Sequence, residues 1–462
     1  MANYYTIWVD ENSSTHTLTA ANMNSRLTEL DDQIFINETA IAAITGYTSA
    51  QMLVDLKAND GAGSGVDADT VDNSHLADIV DAAGGGNDYS YPNRVAGKNS
   101  TGDETIGSTT NAQGLCIDSV GDVWIGLHNS ADWKMMIRRY NSRDLSNSDD
   151  YEPGVASYKV VDLVAHGEYV YALLAAPTVD GWAGTVVAPG TQGKVARVKI
   201  SDGTLDTSWG ASGIVNLVDG GGSPVADPWA MVCDETYLFI ACLTDPGTVV
   251  RVTLSSAACT GQAWGANYRY ATSVGILTDT LGSHKVVCGF HAVTTGQTYG
   301  SFGICTTALA TLVYRDIDGT ECDGGTATDM FQVERIMTAP GTMLATLGSG
   351  TDALTIAFDM MDYAGTGTSL KYSLFVLPSG GSLATARGLA LAPDGVAYVN
   401  DPAANGHLAR FASFGCSRSS FAGIGYLAAG ATNVINHLLH DGRAVWYVGN
   451  DGTNALVGKW AA

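Results

Sequence analysis

From Gly114 onward one pattern keeps returning: an apolar strand, a bend built from Gly, Asp or Glu, and a second apolar strand. It reads GLCIDSVGDVWIG at 114–126, VVDLVAHGEYVYAL at 160–173, AMVCDETYLFIA at 230–241, RIMTAPGTMLATL at 335–347, GLALAPDGVAYVN at 388–400 and INHLLHDGRAVWYVG at 435–449. Each instance is a β-hairpin by composition and turn chemistry. A third strand follows with a basic residue among apolar neighbours: IRRY (137–140), VARV (195–198), VVRV (249–252), LARF (408–411) and VGKW (457–460). A further unit around GILTDTLGSHKVVCGF (275–290) fills the gap between residues 230 and 335. Seven starts between 114 and 435 give a mean spacing of about 53 residues, close to the ~40 to 50 of four-stranded propeller blades. One hairpin cannot bury its own apolar face, whereas blades set around an axis bury each other's. The expected fold is therefore mainly β, a seven-bladed β-propeller over residues 110–462.

Composition fits that reading, since 55 glycines in 462 residues supply the bends and only 15% of residues are charged. The last unit ends after VGKW, one strand short. Residues 100–110 are expected to provide the missing strand, closing the ring and removing an exposed edge. Residues 87–109 thus form a linker that includes a closing strand.

Residues 1–86 follow a different period. Behind Thr19 as an N-cap, Met23, Leu27, Leu30, Ile34, Ile41 and Ile44 recur at steps of 4, 3, 4, 7 and 3 until Gly46, which is the heptad seam of a coiled coil. Asn37 is the one polar layer in the stripe and would fix register at some cost in stability. Isoleucine in both seam positions favours three or four strands over two, and a parallel trimer is expected. The seam residues Met23, Leu27, Leu30, Ile34, Asn37, Ile41 and Ile44 would form its interface. Shorter helices are expected at 48–57 and 73–82.

Several functions are excluded on chemical grounds. With 23 basic and 47 acidic residues the formal charge is −24, which repels phosphate backbones and makes nucleic acid an unsuitable partner. No run of ~18 apolar residues is present to insert into a bilayer, and the first residues lack the basic start and apolar stretch of a signal peptide. The chain is expected to be soluble and made in the cytosol. Eight cysteines stand singly with no CxxC pair, so they read as buried thiols. The triplet Asp67, Asp69 and Asp72 lacks the remainder of a calcium loop, and the pairs His437/His440 and His284/His291 lack a third ligand at metal spacing. GxSxG, HExxH and P-loop motifs are absent. Asp149, Asp150 and Glu152 offer carboxylates for glycoside cleavage, but no spacing shows two of them facing one cleft. No cofactor, metal or catalytic residue is expected. Arg138, Arg197, Arg251 and Arg410 could ring an axis and hold an anion; laying their stems on the sheet and forking onto carbonyls of the next blade explains their recurrence better. Trp209 and Trp264 follow Arg197 and Arg251 by 12 and 13 residues and read as packing groups. Trp133, Trp182 and Tyr268 occupy loop positions from which aromatic rings stack on sugars, and they are the candidate receptor contacts.

Two resemblances sharpen these expectations. The unit LAPDGVAYVNDPAANGHLARF (391–411) resembles the NHL repeat, with its Asp-Gly turn, its strand ending in Asp and its later Arg beside an aromatic, and this implies a propeller without fixing its chemistry. LTAANMNSRLTELDDQI (18–34) and GVDADTVDNSHLADIV (65–80) resemble the virion-proximal segment of trimeric bacteriophage fibres, the second matching their DADTVDG-x-H-A-x-D element except at Asn73 and Leu76. The resemblance implies a structural virion protein, assembled in the host cytoplasm. Its amino end would join other virion proteins of tail, baseplate or capsid. Its propellers would contact a host-surface glycan or protein without catalysis. A capsid head fibre or decoration protein of the same build, and a propeller polysaccharide depolymerase, are the alternatives.

Overall fold

The computed structural model describes residues 103–461 with interruptions, the longer being 177–191, 318–331, 360–370, 377–387 and 418–425. The chain divides into two units, Met1–Asn87 and Asp88–Ala462. The helical seam, the short helices and the virion-like element of the first unit lie outside the described residues, as do Trp133 and Trp182.

The described strands of the second unit form seven antiparallel sheets, six of four strands and one of five. Each sheet is a meander that opens with the hairpin legible in the sequence. The opening strands are Asn111–Ile117, Lys159–His166, Pro228–Cys233, Tyr268–Thr278, Gln332–Ala339, Gly388–Leu391 and Val434–His440. Each opening strand touches the opening strand of the next sheet, and that of the seventh touches that of the first. Sheets arranged in this cyclic way, with side chains interleaved between neighbours, make a β-propeller. The seventh sheet takes its outer strand from the beginning of the unit: Asp103–Ile106 pairs antiparallel with Ala455–Ala461, Asp103 opposite Gly458 and Ile106 opposite Ala455.

The apolar core lies between sheets. Ile106, Leu115, Ile125, Tyr140, Trp446 and Val457 form one such layer between the seventh and first sheets. Trp124, Ile137, Val160, Leu163 and Val198 form the next, between the first and second. Where two sheets come closest, side-chain volume is matched by its absence. A Cβ on Gly303 would lie 1.7 Å from the Trp264 ring, so the fourth sheet meets the third through a glycine lying under an indole.

The hairpin turns carry a repeated polar lock. Asp118 accepts the backbone N–H groups of Val120 (3.0 Å) and Asp122 (2.9 Å) on one oxygen and the Trp124 indole N–H (2.9 Å) on the other. Asp441 does the same in the seventh sheet, accepting from the Ala444 backbone and from the Trp446 indole, both at 2.8 Å. A turn carboxylate thereby fixes the first large side chain of the second strand.

Arg197 and Arg251 of the third strands tie one sheet to the next as expected, and in the first sheet the expectation needs one correction. Directly opposite an aromatic of the second strand stand Arg139 (Trp124), Arg197 (Tyr171), Arg251 (Phe239), Arg410 (Tyr398) and Lys459 (Trp446). Arg139 Nη1 donates to Ile200 O (3.2 Å), Arg197 Nη1 to Leu254 O (3.1 Å) and Arg251 Nη1 to Thr307 O (2.8 Å). Each acceptor is the first residue beyond the third strand of the following sheet. In the first sheet the tie is thus Arg139, not Arg138. Arg138 faces the other side and pairs with Asp150 of its own sheet at 2.5 and 2.8 Å. Trp209 and Trp264 are buried as expected, yet they are not equivalent: Trp209 precedes the outer strand Ile214–Asn216 of its sheet, and Trp264 follows Cys259–Ala263.

Candidate binding surface

Six of the seven opening strands carry a break in register, after Gln113, Val160, Pro228, Arg269, Val333 and Ile435. A bulge rotates the local backbone and re-aims side chains, and here it turns polar groups toward the next sheet. Asp162 accepts the Met231 N–H (2.8 Å) as well as its neighbour Leu163 N–H (2.9 Å). The Thr272 hydroxyl donates to Val333 O (2.5 Å). Asn436 donates to Ala112 O (3.0 Å) and Asn111 Oδ1 (2.7 Å). Opening strands have one edge without a partner strand, and these side chains satisfy part of it. Gly114 is required beside this latch. Its φ is +76°, and a Cβ there would lie 2.9 Å from the Asp162 backbone.

Asp162 and His437 face each other from the second and seventh sheets, with His437 Nδ1 3.8 Å from the Asp162 carboxylate. The first sheet intervenes between those two in the cyclic order, so this contact spans the inner side of the ring. Both groups are nearly enclosed, at 4% and 13% side-chain exposure for Asp162 and His437. The carboxylate is committed to backbone donors, and the pair is structural.

Several other titratable groups are also engaged or buried. His440 Nδ1 accepts the Gly442 N–H (3.0 Å) and its ring stacks on Tyr398. His284 Nδ1 lies 3.7 Å from Asp234. Asp206 accepts the Ser208 hydroxyl (2.7 Å) and the Arg197 guanidinium, and the Ser208 hydrogen bond, ahead of Arg197, holds its carboxyl down at about 2. Burial, reinforced by Lys159, pushes His128 down to about 4. Burial raises the thiols of Cys116, Cys242 and Cys288 well above their ordinary range and Cys233 to about 11, so they are protonated at neutral pH. Asp150 is held by Arg138, and Asp149 accepts from Asn141 Nδ2 (2.7 Å), both on the outer strand Ser148–Tyr151. Among the described residues no group of three His, Cys, Asp or Glu side chains could hold a metal ion.

Polar groups that remain half-exposed and close together occur where the fourth sheet begins. Tyr268 is half-buried, with its ring edge-on to Phe290 at 6.0 Å, so the core uses part of it. Arg269 pairs with Asp245 at 3.1 Å, and the two side chains are 38% and 41% exposed. Tyr270 stands in the register break with φ 52°. Backbone bonds Tyr270 N to Thr244 O (3.0 Å), Gly247 N to Tyr268 O (2.8 Å) and Trp264 N to Gly247 O (2.9 Å) lace this segment to the turn 244–247. Sequence reasoning singled out Tyr268 but missed Tyr270, Asp245 and Arg269, because a register break depends on pairing and leaves no local motif.

No family model matches the chain. No curated protein matches it either. Among solved structures it is similar to Raptor from Chaetomium thermophilum, with a TM-score of 0.50 and 11% identity, over 79% of this chain and 29% of that one. It is also similar to the Dos1 propeller (TM-score 0.48, 10% identity, 78% and 94% covered) and to the complex of KlAtg21 with the coiled coil of AgAtg16 (0.46, 8%, 74% and 92%). The chain thus spans less than a third of the Raptor chain. At 11% identity that likeness is one of fold alone.

Proposed function

We propose that this protein is a structural component of a bacteriophage virion, a homotrimeric tail fibre whose amino-terminal segment joins the particle and whose seven-bladed propellers adhere to the host surface without breaking a bond. The observation that carries the reading is the phrase GVDADTVDNSHLADIV at 65–80, which resembles the trimeric-fibre element and lies some twenty residues after the 23–44 heptad seam. Engagement of Asp118, Asp162, Asp441, Arg139, Arg197 and Arg251 in turns and inter-sheet ties suits a scaffold that binds rather than reacts. Trimerisation would convert weak contacts into firm attachment, since linked sites gain roughly 10² to 10⁴ in avidity when geometry lets them engage together.

The test compares the full-length protein with Leu30→Asp/Ile34→Asp, which places charge in two seam layers of each strand. Light scattering should give a trimer for the first and a monomer for the second, and host-cell binding should weaken by at least 10²-fold in the monomer. A double variant that stays trimeric removes the coiled coil from the account. Immunolabelling of particles distinguishes tail from head: label on the capsid would make the chain a head fibre. Release of oligosaccharides from host polysaccharide would make it a depolymerase.

A further inference from the structure

Six aspartates are buried among the described residues: Asp118, Asp122, Asp162, Asp206, Asp227 and Asp441. Five of them accept donors from the protein. Asp118 and Asp441 hold turn amides and an indole, Asp122 holds Arg139, Asp162 holds the Met231 N–H, and Asp206 holds Ser208 and Arg197. Asp227, 7% exposed, accepts no hydrogen bond and forms no ion pair through its carboxylate. Burial, with nothing to offset it, raises its carboxyl above the ordinary range. A buried charge without a partner is costly. The backbone does not ask for it, because a φ of 53° suits asparagine or glycine as well as aspartate.

The backbone that carries this carboxylate is pinned. Ala226 bridges to Gln192, Asp227 O accepts the Leu243 N–H at 2.8 Å, and Pro228 stands opposite Cys242. A Cβ on Gly193 would lie 2.7 Å from Pro228 Cδ, so the segment has no room to swing away. Side chains on these neighbours bring no charge to offset it. Leu243 and Pro228 are apolar, the Gln192 amide donates to Leu217 O (2.8 Å), and the Cys242 thiol is itself raised by burial and then by Asp227. Asp245, two residues beyond Leu243, is already paired with Arg269 at 3.1 Å.

What Asp227 lacks is a positively charged donor, and only a slim one reaches a carboxylate so enclosed. A lysine ammonium is compact, carries three donors and ends an unbranched four-carbon stem, whereas a guanidinium or a sugar ring is wider. The formal charge of −24 draws cations toward the chain. We propose that Asp227 anchors a subsite for a primary ammonium on an unbranched stem, a lysine side chain presented by a protein of the host surface. This rests on the adhesion reading and assigns its receptor to protein.

The full-length protein and its Asp227→Asn variant are melted with n-butylammonium, Nα-acetyl-lysine amide, glucosamine or tetramethylammonium at matched ionic strength, and are applied to host cells before and after acetylation of surface amines. Tetramethylammonium carries the charge without a donor. The wild type should melt higher with the first two only. Without additive Asp227→Asn should melt at the wild-type temperature or above it, and it should respond to none of the four. Cell retention should fall about tenfold or more on either substitution or acetylation. The subsite is overturned if no amine shifts the wild type, if Asp227→Asn responds as the wild type does, or if it melts several degrees lower, which would make the carboxylate structural. An equal shift with glucosamine overturns the lysine assignment. Cell binding that survives both acetylation and substitution overturns the subsite and leaves adhesion standing. A thermal response without cell binding overturns adhesion, and the host receptor with it, and leaves the ammonium site.

Discussion

Replacing Arg197 by Met tests whether the inter-sheet ties hold the ring together. The methionine keeps most of the apolar stem and removes the guanidinium, which donates to Leu254 O, pairs with Asp206 and lies over the rings of Tyr169 at 4.3 Å and Trp209 at 5.1 Å. Both members of the ion pair are buried, with side-chain exposures of 11% and 6%. Breaking a buried pair costs about 3 to 5 kcal/mol, chiefly because a charge is left uncompensated. Here the groups left behind keep other partners. Leu254 O still accepts the Trp209 indole N–H at 2.9 Å, and Asp206 retains the Ser208 backbone and hydroxyl. That places the cost near the lower end, about 3 to 4 kcal/mol. With an unfolding entropy of about 2.1 cal/mol/K per residue over roughly 360 residues, the expected fall in Tm is about 4 to 5 °C by calorimetry. Arg138→Met is the control. Its partner Asp150 is 47% exposed and belongs to the same sheet, so screening limits the loss to roughly 1 kcal/mol, under 2 °C. Equal effects of the two substitutions, or a loss below 2 °C for Arg197→Met, would refute the tie.

Two further outcomes are expected. A protein beginning at residue 98 should melt higher and aggregate less than one beginning at 112, because only the first can pair Asp103–Ile106 with Ala455–Ala461; equal melting by scanning fluorimetry would mean that this pairing contributes nothing. Acid should destabilise the propeller through His128, whose folded value of about 4 lies below the ~6.5 of an unfolded chain. Between those values the unfolded state binds a proton that the folded state does not, so stability falls as pH drops from 6.5 and the loss reaches about 3 kcal/mol near pH 4. Denaturant titrations at pH 7 and 4.5 should show the loss, and His128→Gln should flatten it. Asp206, held at about 2, keeps its contribution over this range and loses it only as pH falls from about 4 through 2.

Much of the fold is written locally. The hairpins around 118–122, 234–236 and 441–442 are specified by an Asp that satisfies its own turn, and a nearly continuous apolar run buried on both faces of the second strand does the rest, so spacing alone located them. The unit inferred at 275–290 is the hairpin of Tyr268–Thr278 with His284–Thr294. What spacing could not decide was facing. In IRRY two arginines stand side by side, and only the register opposite Trp124 selects Arg139 as the residue that reaches the next sheet. The latches of Asp162, Thr272 and Asn436 were illegible for the same reason, since each depends on a break in pairing with a distant strand. Tyr270 was passed over because its backbone conformation, not its identity, sets it apart.

The strand Asp103–Ile106 gives the ring a mechanical character. Among the described residues Asp103–Ile106 is the first strand, so a pull on the chain from its amino-terminal side reaches the described sheets there. Such a pull is met by four residue pairs of one ladder, from Asp103–Gly458 to Ile106–Ala455. Ile106, 4% exposed in the layer with Trp446 and Val457, is the anchor that resists withdrawal. The strand that completes the seventh sheet is thus also the joint that meets such a pull, and the force at which it slips is the force at which that sheet loses its outer strand.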